Sequence, residues 1–236
     1  MLLVTRPLKL FLTDVNDKIE LNKITAVTPQ KNATDRFSIF IDGEFALGLG
    51  IDVVIEFGLA SGMSIDPELL EQIKSREEIV TVVNAAMHLL AYRARATGEL
   101  QTRLRQKKFS QPAIDAAIEK LKGWHYLDDE DFAKNWVEQQ GTHRPRSRRV
   151  LAQDLRSKGI DKEIVEETLA GVEIDEESDA IRASIRKWES WQGLPVDVRN
   201  RRLSGFLARR GYGYDVVRKV ISHFEGEFMD EVQAEN

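Results

Sequence analysis

Apolar positions along this chain follow two different rhythms. Between Ile24 and Leu49 they gather in short runs rich in β-branched and aromatic residues: Ile24 to Thr28, ending at Pro29; Arg36 to Ile41; and Glu44 to Leu49. Runs of this kind, bounded by turn-forming residues, predict strands. Asp42-Gly43 separates the second run from the third. A two-residue hairpin turn needs positive φ at both central positions, so this pair predicts a hairpin. Asp52 to Phe57 reads as a short helix closed by Gly58. Three strands alone give a marginal core, so this module is expected to pack on the helical region after it. Residues 1–20 show no clear period and read as poorly ordered.

From Asp66 onward the rhythm is helical. Asp66-Pro67-Glu68 supplies a cap and a proline in the first turn of one helix. Ser75 with Glu78 reads as a capping box opening a second, longer one. Its apolar residues Ile79, Val82, Val83, Ala86, Met87 and Leu90 recur at spacings of three and four.

An internal repeat then sets the architecture. The segments Leu100–Phe109, Leu151–Ile160 and Leu203–Tyr212 superimpose without gaps, at offsets of 51 and then 52 residues. The register continues to Ile114, Val165 and Val217, and on to Ile118, Leu169 and Ile221. Such a period is the signature of tandem helical modules. The leucine pairs 100/104, 151/155 and 203/207 stand one helical turn apart and define a buried stripe. Gly159 and Gly211 follow a helix end, where a left-handed residue caps at no steric cost. Phe109, Ile160 and Tyr212 would pack back on the helix just ended. The prediction is a mainly α protein: three tandem three-helix repeats, at 77–123, 128–171 and 175–226, preceded by a small β-hairpin-containing module at 21–65. Residues 227–236 form an acidic tail.

Composition narrows the function. The 236 residues are 42% hydrophobic and 31% charged, as in a soluble globular protein, and include no cysteine. Disulfides, thiolate metal sites and thiol nucleophiles are therefore excluded. The uncharged stretch Ile79–Tyr92 is shorter than the ~18–20 residues that span a bilayer. Arg6, Pro7 and Lys9 interrupt the apolar start, against a signal peptide. A cytoplasmic protein without a membrane partner is expected. The net charge of −5 hides segregation. Residues 93–108, 142–158 and 199–219 carry +5, +5 and +6, whereas 161–179 carry −8.

The three basic segments supply the candidate contacts with a polyanionic or acidic polymer. They are Arg93, Arg95, Arg103 and Lys107 in the first; Arg144, Arg146, Arg148, Arg149, Arg156 and Lys158 in the second; and Arg199, Arg201, Arg202, Arg209 and Arg210 in the third. Arginine's planar fork suits phosphate or carboxylate, and several weak contacts on one chain reinforce one another. A solvated helix face is the plain alternative for any single segment. Other constellations read structurally. Asp128-Asp129-Glu130-Asp131 stands where a helix begins, so capping outweighs metal binding. His88, His125, His143 and His223 lack ligand spacing. Gly48-Leu49-Gly50 has no third glycine for a nucleotide loop. Trp124, Tyr126, Trp136, Trp188 and Trp191 could stack on bases, but their positions favour core roles.

The run Trp124-His125-Tyr126-Leu127-Asp128-Asp129-Glu130-Asp131-Phe132-Ala133, followed by Arg148-Arg149-Val150-Leu151 through Leu155-Arg156-Ser157-Lys158-Gly159-Ile160, resembles the RecX family of recombination regulators. Tyr92, Glu99-Leu100, Leu104, Lys107 and Phe109 extend the likeness to the first repeat. It departs at Lys108, where the family usually has glycine, and is looser in the third repeat at Arg209-Arg210-Gly211-Tyr212. The hairpin module is similar to the N-terminal extension of some longer members. The resemblance implies a cytoplasmic, monomeric, non-enzymatic regulator without a cofactor, active in homologous recombination, DNA repair and the SOS response. It implies binding to the RecA–DNA filament and restraint of its ATP hydrolysis, strand exchange and coprotease activity. It also implies weaker, salt-dependent binding to single- or double-stranded DNA. A helical nucleic-acid-binding module, such as a transcription regulator acting directly on DNA, is the alternative. Three equal repeats argue against it, since a helix-turn-helix needs one reader.

Overall fold

The computed structural model describes residues 22–31 and 33–234. The expectation for residues 1–20 lies outside the described residues. The chain forms two compact units, one ending at Val80 and the other beginning at Thr81.

In the first unit, β1 (Asn22–Gln30), β2 (Ala33–Ile41), β3 (Glu44–Gly50) and β4 (Ser64–Ile65) make an antiparallel sheet of order β3-β2-β1-β4. The expected hairpin joins β2 to β3, with Asp42 at φ 49° and Gly43 at φ 90°. Two details differ from expectation. β1 does not stop at Pro29 but runs through it. Among the described residues β4 pairs only with Asn22 and Lys23, which leaves the far part of β1 without a second described strand beside it, a position where a proline is tolerated. A register shift lies at Pro29/Gln30. The two helices expected after Asp66 are one, α2 (Pro67–Tyr92), with Ser75 in its interior. No glycine or proline interrupts Glu68 to Tyr92, and Leu69, Leu70 and Ile73 pack on the sheet ahead of Ser75. The core joins Ile24, Ile39, Leu49 and Ile65 of the strands to Val53 of α1 (Ile51–Glu56) and Ile73 of α2. Glu77 ties α2 to the sheet: it accepts the Gly50 amide at 2.8 Å and pairs with Arg36 at 2.9 Å.

The second unit holds the end of α2 and eight further helices: α3 (Thr97–Gln106), α4 (Gln111–Gly123), α5 (Asp129–His143), α6 (Arg148–Ser157), α7 (Lys162–Ala170), α8 (Glu176–Glu189), α9 (Val196–Arg209) and α10 (Tyr214–Ala234). They group in threes: α2 to α4, α5 to α7, α8 to α10. The leucine stripe is buried in every copy, on α3, α6 and α9. Side-chain caps open several of these helices. Ser110 accepts from the Ala113 amide, Asp128 from Asp131, Ser147 from Val150 and Asp175 from Ser178. Beyond Phe224, α10 continues to Ala234, so most of the segment read as a tail is helical.

Candidate binding surface

The second helix of each repeat ends on a left-handed residue. Lys108, Gly159 and Gly211 occupy equivalent positions at φ 67°, 81° and 86°. The Ile160 amide reaches back to the Leu155 carbonyl, and the Tyr212 amide to Leu207, both at 3.2 Å. These bonds satisfy carbonyls that a helix end leaves open. Glycine is required at two of the three sites for a second reason. A Cβ on Gly159 would stand 2.7 Å from the Cα of Gly98, at the start of α3. A Cβ on Gly211 would strike Val150 and Ser147, at the start of α6. The cap of each later repeat therefore docks on the opening turn of the previous repeat's second helix. Lys108 belongs to the first repeat and has no earlier repeat to meet, so a side chain fits there.

A carboxylate completes each joint. The Thr97 amide, first in α3, donates to Asp129 Oδ1 at 2.8 Å; the Arg148 amide, first in α6, donates to Glu176 Oε1 at 2.7 Å. In both cases the acid comes from the first turn of the next repeat. It satisfies an orphan amide and meets the positive end of the helix dipole. Asp129 and Glu176 thus cap across repeats, a role that sequence reasoning missed because it placed the whole acidic run at the start of its own helix. Ala96 also crosses, packing into the second repeat's core with Ala133, Leu151 and Leu155. At the second joint the Ser147 amide donates to the Arg210 carbonyl at 3.2 Å.

Several candidate basic residues are committed to this scaffold. Arg93 and Arg95 both pair with Glu99. Burial pushes the Glu99 carboxyl up, but the two guanidiniums prevail and hold it below the usual glutamate range. Arg146 bonds Asp154 at 2.6 Å. Arg148 donates to the Leu169 carbonyl at 2.7 Å, closing the end of α7. Arg210 donates to the Pro145 carbonyl at 3.2 Å and lies over Phe206. Arg199 is 4% exposed and stacks on Trp188, inside the third repeat's core and not on its surface. Arg103, Lys107, Arg144, Arg149, Arg156, Arg201, Arg202 and Arg209 are exposed. None of these eight makes an ion pair with a described residue under 4 Å.

The aromatic residues divide as well. Trp188 is buried, and Trp191 and Trp136 pack partly buried against the third and second cores. Trp124 and Tyr126 are instead 49% and 54% exposed, so a core role does not hold for them. Both lie at the end of α4, where the left-handed His125, at φ 59°, turns the chain outward. Tyr126, Phe132 and Trp136 line a cavity of about 410 Å³ together with Arg93 and Arg95. Among the described residues, no cluster of side chains could hold a metal ion, and no helix is long and apolar enough to cross a membrane.

Three-helix modules that cap one another in series, with exposed arginines on their second helices, define a helical-repeat protein. Comparison with known families makes the assignment specific. The model described as the regulatory protein RecX N-terminal domain matches residues 22–66. Those for the first, second and third three-helix domains of RecX match 83–121, 128–169 and 175–221. The chain belongs to the RecX family of regulatory proteins. The regulatory protein RecX of Bacillus licheniformis is 30% identical over 219 residues, which cover 90% of this chain and 81% of that one. The RecX of Clostridium botulinum is 27% identical over 216 residues, covering 88% and 99%. Among solved structures, a regulatory protein RecX superimposes with a TM-score of 0.67 at 20% identity, over 85% of this chain and 98% of that one. RecX from Lactobacillus salivarius gives 0.56 at 20% identity, over 64% and 98%. Both likenesses are of fold.

Proposed function

We propose that this protein binds the RecA–DNA filament through its tandem repeats and restrains the filament's ATP hydrolysis, strand exchange and coprotease activity. In this reading it acts in the cytoplasm as a monomer, without a cofactor and without chemistry of its own. The observation that carries the proposal is the serial joint: one docking geometry, used twice, spaces exposed arginines at intervals along one chain. A periodic polymer offers matching contacts at intervals, and linked weak contacts reinforce one another. The acidic segment 161–179 opposes free DNA and favours a protein surface, with nucleic acid assisting.

Adding the protein to RecA filaments on single-stranded DNA and following ATP hydrolysis tests this. Inhibition at or below one protein per RecA is expected. Reversing Arg201, Arg202 and Arg209 to glutamate should weaken inhibition and leave helicity intact. A variant that inhibits as well as the parent removes the exposed face of α9 from the contact. Absence of inhibition, with sequence-specific duplex binding in its place, would replace this reading with that of a DNA-binding transcription regulator.

A further inference from the structure

The last repeat outruns its copies, and at one end. The repeat offsets of 51 and 52 residues set the last residue of α4 opposite Gly226 and the last of α7 opposite Ser222, yet α10 runs on to Ala234. The same offsets set the first residues of α3 and α6 opposite Asn200, yet α9 begins at Val196. Asn200 Nδ2 donates to Glu225 Oε1 at 2.8 Å. The two extensions, residues 196–199 and 227–234, therefore leave the repeat at the same end of the α9–α10 pair.

The extension of α10 is not composed for helix stability. It carries Glu227, Asp230 and Glu231, and no lysine or arginine follows Lys219. The end of a helix favours cations, so carboxylates in these last turns weaken it. The first repeat follows that preference, with Lys120 and Lys122 in the last turn of α4. The targets for these acids lie on the neighbouring helix, where Arg201 and Arg202 follow Asn200 directly and are exposed. By helical rise, Glu227 stands about 3 Å and Glu231 about 9 Å beyond Glu225 along the axis. Those distances are comparable to or shorter than the screening length of ~8 Å at physiological salt. The carboxylates thus offset the field with which α9 would draw in an anion.

We propose that the acidic end of α10 is an autoinhibitory element: it competes with an anionic polymer for Arg201 and Arg202 and keeps the third repeat's grip on such a partner weak. The proposal rests on the filament reading for the anionic character of the partner and adds a restraint built into the chain itself.

Fluorescence anisotropy with the full chain and labelled oligothymidylate as the anionic probe tests it. Combining Glu227→Gln, Asp230→Asn and Glu231→Gln should tighten binding about fivefold at about 20 mM salt and leave it unchanged at about 500 mM. In a background of Arg201→Gln and Arg202→Gln, the same three changes should gain less than about twofold. Neutralising Asp115, Glu119 and Glu138, three exposed acids on α4 and α5, alters the formal charge equally and should also gain less than about twofold. If the triple variant fails to fold, Glu231→Lys, which suits a helix end, should give a smaller gain in the same direction. No gain overturns the element, as does an absence of probe binding by parent and variant alike. A gain that survives high salt, persists without the two arginines, or is matched by the α4–α5 control overturns it too. A parent that restrains RecA but shows no gain on neutralisation defeats the element and spares the filament reading; a gain without any effect on RecA does the reverse.

Discussion

The joint between repeats 1 and 2 and the joint between repeats 2 and 3 share one plan with different materials. Both bring a left-handed cap against the opening turn of the preceding second helix, and both add a carboxylate from the next repeat. At the first joint backbone meets backbone, Gly159 on Gly98, and the surroundings are basic. At the second, Gly211 meets the side chains of Val150 and Ser147 beside the acidic start of α8, where Glu177 is paired with Lys219 at 3.0 Å. The mechanics of the joint are the same in both copies while the electrostatics differ, so equivalent positions in this molecule are not interchangeable contacts.

Substitution of the two glycines should separate the joints most. Gly159→Ala combines a left-handed backbone with a collision against a backbone that cannot step aside, and should cost about 3 kcal/mol in urea denaturation. Gly211→Ala carries the same backbone strain, but its neighbours are side chains, and should cost about 2 kcal/mol. The opposite order would break the distinction between rigid and yielding joints. Removing the cross-repeat caps comes next. Asp129→Ala, which strips a part-buried amide, should cost about 1.5 kcal/mol, and Glu176→Ala, at an exposed one, about 0.5 kcal/mol. Equal losses would make the two joints energetically alike. Lys108→Gly should stabilise the chain by about 1 kcal/mol, since it relieves a left-handed lysine with no docking partner to disturb.

The smallest effect is electrostatic. Glu99 sits at the first joint, and its counterpart at the second is Val150. Its carboxyl is held below the ordinary value of 4.5, so its stabilisation is full above that value and is lost as pH falls through the depressed one. Glu99→Gln should therefore lose less stability than the parent between about pH 5 and about pH 3, measured as the shift in urea midpoint. An identical acid response would show that the Arg93–Glu99–Arg95 cluster adds nothing to the joint.

Much of the fold was legible in the amino-acid pattern because it depends on local periodicity. The leucine stripe, the hairpin at Asp42-Gly43 and the cap at Asp128 all act within a few residues of themselves. What escaped depends on distance. Nothing near Asp129 announces that its partner is the amide of Thr97, and nothing near Arg148 announces that its guanidinium closes α7 at Leu169. Arg199 looks like its basic neighbours in sequence, yet helical phase turns it inward onto Trp188. Among the candidate contacts, charge type could be read directly, but whether a charge was already held inside the scaffold could not. One signal was present in the register: Gly98 and Gly159 are small where the repeats must touch, while Lys108 departs where no earlier repeat arrives.

The carboxylates supplied from one module to another give the array a direction. A module finishes the one upstream of it, so trimming from the C-terminal side leaves a stump with a raw, frayed end, whereas the last module's own second helix opens at Pro195 with no side-chain cap of its own.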